Sequence, residues 1–172
     1  MPARITRHEG MLPAMVEEGP EAFIKRWSEF AAPATLFARS EGSPLLEAAV
    51  GGVIVQLLER TNPYQAGPGA ARLLLNPTAD TVMLAPEGAG VLVVPRRGAL
   101  HGSGEVVEVE GRVLVVDAGV PVLVVAPADA DAEVRRTGVW IRFEASPPVH
   151  GFVLDTERRA TPSDRADIDE AH

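Results

Sequence analysis

Apolar residues recur along this chain with two different periods. Over residues 20–31, Phe23, Ile24, Trp27, Phe30 and Ala31 fall at three- and four-residue steps, with Pro20 in a first-turn position and Glu21 beside it. That spacing predicts an amphipathic helix that stops before Pro33. Ala34–Arg39 then reads as a short strand, and Ala3–Thr6 as another ahead of the helix. Ser43 followed by Pro44 has the form of a cap and a first-turn proline. Behind it Leu45, Leu46, Ala49, Val50, Val53, Ile54, Leu57 and Leu58 continue at helical steps to about Arg60. The expectation is a second helix, apolar nearly all round, of the kind that is buried or packs on a copy of itself. Gly51 and Gly52 weaken that helix by about 1 kcal/mol each, and Val53–Val55 are β-branched, so a change to strand over 50–58 is the alternative.

From Ala71 onward short β-branched runs alternate with turn residues, which is an all-β signature. Strands are predicted at 72–75, 81–84, 91–94, 105–109, 112–116, 120–125, 139–144 and 150–154. Glu110-Gly111 marks a tight hairpin, and Asp117-Ala118-Gly119 the next reversal. Val113–Val116 and Val122–Val125 are apolar without alternation, so both faces of those strands need cover. The predicted fold is α+β and mainly β: two N-terminal helices followed by an antiparallel β-sandwich or small barrel. It forms a single domain over 1–155, with its helical part at about 20–60 and its β part at about 71–155. After Asp155 the apolar signal dies, and 156–172 reads as a disordered acidic tail.

Length and composition narrow the picture further. A chain of 172 residues, 46% apolar and 23% charged, suits one globular domain. A formal charge of -8 repels phosphate backbones and argues against general nucleic-acid binding. Without cysteine there is no disulfide or thiolate chemistry. Residues 1–20 lack the apolar run of a secretory signal, and Pro44–Leu58 falls short of the roughly 20 residues that span a bilayer. The expected location is cytoplasmic, with no membrane contact.

Candidate chemistry concentrates in PRRGALHGSGE, residues 95–105, where Arg96, Arg97, His101 and Ser103 lie among three glycines. Two guanidiniums and exposed glycine amides could hold a carboxylate or phosphate, so these four residues form the candidate ligand-binding set. It is not a phosphate-binding P-loop, since Glu105 stands where that motif needs lysine. His101-Gly102-Ser103-Gly104 resembles the oxyanion loop of esterases and lipases, but no G-x-S-x-G elbow accompanies it. The four histidines are far apart and none has the spacing of a helical metal pair, so no metal or other cofactor is expected. In VWIRFE strict alternation puts Trp140 and Arg142 on one face and Ile141 and Phe143 on the other, making Trp140 and Arg142 a candidate contact surface. Val50, Val53 and Leu57, on the surplus apolar side of the second helix, complete the candidate interface.

No complete catalytic set is visible, and the catalytic residues are unknown. By elimination the sequence favours a non-enzymatic interaction or assembly module that associates with itself, a homodimer before another protein partner. The alternatives are a small anionic-ligand-binding domain built on 95–105, or an enzyme whose site no spacing betrays.

Overall fold

The computed structural model of the protein describes residues 19–39, 43–61 and 67–156. Among these the chain forms one helix, α1 (residues 19–27), which runs into a 3-10 turn at Ser28–Phe30. Eleven strands follow: β1 (Ala32–Leu36), β2 (Leu45–Val50), β3 (Val53–Glu59), β4 (Gly69–Asn76), β5 (Thr81–Leu84), β6 (Val91–Val93), β7 (Leu100–Glu110), β8 (Val113–Asp117), β9 (Pro121–Val125), β10 (Trp140–Ala145) and β11 (Val149–Thr156). The strand predicted at Ala3–Thr6 and the tail beyond Thr156 lie outside the described residues. None of the described helices is long and apolar enough to cross a membrane.

The predicted second helix is instead the β2–β3 hairpin. Leu46, Ala48 and Val50 alternate inward along β2, as do Val55, Leu57 and Glu59 along β3. Gly51 and Gly52 both have positive φ, 60° and 85°, and pair Val50 with Val53 across a two-residue turn. Two consecutive glycines at positive φ match the right-handed twist of a hairpin, whereas in a helix they would only loosen it. Helical spacing looked convincing because the outer face is apolar as well: Ile54 is 55% exposed and Leu45 39%. Where nearly every position is apolar, a period of two and a period of 3.6 fit alike.

These strands close a barrel in the order β1-β2-β3-β11-β4 and back to β1. All its pairs are antiparallel except β3 with β11, which is parallel, so the fold is not the purely antiparallel one expected. Between β4 and β11 the chain builds a second, six-stranded sheet, ordered β5-β10-β7-β8-β9, with β6 also paired to β7. β7 does double duty. Its first half lies between β6 and β10, and from Glu105 onward it pairs with β8 through a bulge between Val106 and Glu108.

One continuous core joins both layers, from Leu36, Leu57 and Leu73 inside the barrel to Leu100, Ile141 and Phe143 under the second sheet. A smaller cluster lies on the opposite faces of the strands, where Trp27 covers Leu74, Val115, Leu123 and Phe152. Helix α1 thus straddles the joint between barrel and sheet, with Phe23 stacked on Phe152 at 4.5 Å between ring centres. This explains the unbroken apolar runs of β8 and β9, which are buried against the core on one face and under α1 on the other. Arg26 fixes the helix from its polar side, donating from Nε to Glu110 and from Nη2 to Glu108, each at 2.8 Å. Those two carboxylates therefore anchor a helix, and the hydrogen bond to Glu108 is the main cause holding the Arg26 pKa above its ordinary value.

Candidate functional site

The candidate ligand loop is only half a loop. It ends at Ala99, and Leu100–Glu105 is the first half of β7, where alternation sends His101 and Ser103 outward and Gly102 and Gly104 inward. Both glycines serve packing. A Cβ on Gly102 would lie 2.7 Å from Phe143 Cε2, and one on Gly104 would collide with the backbone carbonyl of Asp117. The backbone of 101–103 is paired with β10 on one side and β6 on the other, so its amides belong to the sheet and form no anion cradle. That corrects the expected use of this segment. Arg97 leaves the group as well, reaching across to Glu47 on β2 with Nη2 to Oε2 at 3.0 Å, while Arg96 is an exposed residue of the loop.

The structure instead joins His101 and Ser103 to Trp140 and Arg142. In the β7–β10 register Trp140 stands opposite Glu105, Arg142 opposite Ser103 and Glu144 opposite His101. The neighbouring strands continue these rows, with Met83 beside Arg142, Thr81 beside Glu144, Val91 beside Ser103 and Val93 beside His101. Directly opposed residues point to the same side of a sheet, so all of these share the outer face of the second sheet. Arg142 and Trp140 alternate with Ile141 and Phe143, both 0% exposed, as the sequence predicted. Met83, Val91 and Val93 are nearly half exposed, and Arg142 Nη2 rests 3.1 Å from Met83 Sδ. Sequence reasoning missed Met83, Val91, Val93 and Glu144. Their only signal is register, since each is an ordinary strand residue until its neighbours across the ladder are known.

The remaining interface candidates are turned toward the barrel core. Val50 is 3% exposed and Leu57 0%, both inside the barrel, and Val53 is a half-buried residue packed against the same core. A helix over this stretch would leave them on an uncovered side, whereas a barrel stave has its inner face filled by the other staves.

A second polar region lies on the flank of the barrel. Arg39, just past β1, donates from Nη2 to Glu59 Oε1 at 2.6 Å, and Glu59 is only 3% exposed. Beside this pair Ala38, Ser43, Leu45, Gln56 and Arg97 surround a cleft of about 210 Å³, with Glu47 in its wall. On β11, His150 Nδ1 meets Arg60 Nη1 at 2.8 Å. Burial first, and the nearby Arg60 charge second, lower the His150 pKa from its ordinary value. His150 thus belongs to the barrel and His101 to the second sheet. Among the described residues no group of three or more acidic or histidine side chains is placed to hold a metal ion.

No protein-family profile, curated protein or solved structure matches this chain.

Proposed function

We propose that the protein is a non-enzymatic assembly module that pairs with a second copy of itself through the outer face of the second sheet. The observation that carries this reading is the make-up of that face. Trp140, Met83, Val91 and Val93 offer apolar surface, and Arg142 and His101 stand among Glu105 and Glu144. Trp, Met and Arg are enriched in protein interfaces, and Trp and Arg in their hot spots. A two-fold interface uses one patch twice, so the patch must complement itself. Arg142 and Glu144 are two residues apart on the same face of β10, and a face-to-face pairing can set each against the other's counterpart.

Sedimentation at micromolar to tens of micromolar concentration tests this. The expected result is a dimer for the native chain and a monomer for Trp140→Glu or Arg142→Glu, with unchanged melting curves at low concentration. The charge swap Arg142→Glu with Glu144→Arg restores pairing. A native monomer throughout the range, or a dimer indifferent to Trp140→Glu, overturns the reading.

A further inference from the structure

We infer that the cleft on the barrel flank binds a short organic acid, of the hydroxy- or keto-carboxylate class. The site is separate from the sheet face above and stands without it.

Among the described residues, the walls come from separate parts of the chain. The segment past β1 brings Arg39, the β2–β3 hairpin brings Glu47 and Gln56, which are directly paired on its outer face, and the loop before β7 brings Arg97. Gly98 helps to hold that loop in place: its φ of 86° suits glycine, and a Cβ there would press on Pro147 at 3.1 Å and on Gln56 Oε1 at 3.3 Å. A volume of about 210 Å³ gives room for a few-carbon acid.

The two cations play different parts. The Arg39 side chain is 11% exposed and its Nη2 is tied to the buried carboxylate of Glu59, so its guanidinium is a fixed hydrogen-bonding group in the cleft wall whose charge Glu59 offsets. Arg97 is at the rim, its side chain 76% exposed, and its ion pair with Glu47 lies in solvent. Exposed pairs of this kind are weak and exchange readily. A ligand carboxylate in the cleft offers Arg97 a two-pronged partner, a geometry that suits a guanidinium better than its single contact with Glu47. Ser43 Oγ already accepts from the Leu45 amide at 3.1 Å, which leaves its hydroxyl hydrogen to donate, and the Gln56 amide can donate or accept. These groups suit the hydroxyl or keto oxygen next to a carboxylate, and Ala38 and Leu45 face its short carbon stem.

Titration of the full chain with lactate, pyruvate, acetate and inorganic phosphate, followed by amide and side-chain NMR shifts, tests the inference. Saturable shifts are expected at the Gln56 side-chain amide, Glu47 and Arg97, stronger for lactate and pyruvate than for acetate. Arg97→Gln should weaken binding at least tenfold and Gln56→Leu should reduce the preference over acetate. Both positions are at the surface of the hairpin or loop, and their thermal melts should match the native chain. Trp140→Glu should leave the titration unchanged, which separates this site from the pairing face. Absence of saturation at tens of millimolar, shifts that persist in Arg97→Gln, or phosphate binding as tightly as lactate each overturns it.

Discussion

At the scale of single residues, His150 links the barrel to pH. Its Nδ1 meets the Arg60 guanidinium at 2.8 Å and must accept that hydrogen bond, which needs an unprotonated nitrogen. Burial and the Arg60 charge both lower its pKa in the fold. In the unfolded chain the imidazole takes up its proton near pH 6.5, in the native protein only at lower pH. Between those values the unfolded state binds more protons, so stability rises with pH across the interval. The contribution is whole above about pH 6.5 and is lost as pH falls through the folded value. Melting temperature should accordingly climb as pH rises toward about 6.5, and His150→Gln should flatten the climb; an identical slope in the variant would place its origin elsewhere. How much of this scale was legible varied with the source of each constraint. The opposed faces of Trp140 and Ile141 followed from alternation within one strand. The work of Gly102 and Gly104 did not, because what fills their missing side chains comes from Phe143 and Asp117 on other strands. Glu59 was equally silent: a glutamate at the end of an apolar run reads as a solvated terminus until Arg39 is seen beside it.

At the scale of elements, the β2–β3 hairpin is the place where two sequence rules competed. Cap, first-turn proline and helical spacing spoke for a helix, and Gly51–Gly52 with the β-branched Val53–Val55 spoke for strands. The glycines decided, because both sit at positive φ. The two states differ in the sign of a simple substitution. Within a helix, replacing glycine by alanine stabilises by up to about 1 kcal/mol. At positive φ the same change costs about 1–2 kcal/mol, so Gly52→Ala should lower stability by that amount and Gly52→Asn by less. Gly51→Ala should cost more again, since its Cβ would lie 3.0 Å from both Leu92 Cδ1 and Val120 Cγ2, whereas nothing stands within 4 Å at Gly52. Urea unfolding of the three variants checks the order; a stabilised Gly51→Ala would contradict the hairpin. The β-strands after Ala71 were legible nearly throughout, because their turn residues are spaced closely enough to mark both ends. Where β7 began was not, since His-Gly-Ser-Gly carries loop chemistry and strand geometry at once.

For the molecule as a whole, the order of strands was the least legible feature. Periodicity says that a strand has an inner face and is silent about which strand lies beside it, so nothing in residues 149–156 announces a parallel seat against β3. The shared core has a measurable result. Since one cluster runs from the barrel into the second sheet, the two layers should unfold together. In a Trp140→Phe variant the remaining Trp27 reports the joint under α1, and its fluorescence midpoint in urea should coincide with that of far-UV circular dichroism; two separated midpoints would show independent layers. The insertion of the second sheet between β4 and β11 also bears on biosynthesis. Four staves of the barrel leave the ribosome early, and the fifth follows only after roughly 70 further residues, several seconds of translation at about 5–20 residues per second. For that interval the nascent barrel has an open seam, with the edges of β3 and β4 bare. Strand edges left in that state are templates for pairing with other chains, so a polypeptide ending anywhere before Val149 lacks the stave that joins β3 to β4 and leaves those two edges open.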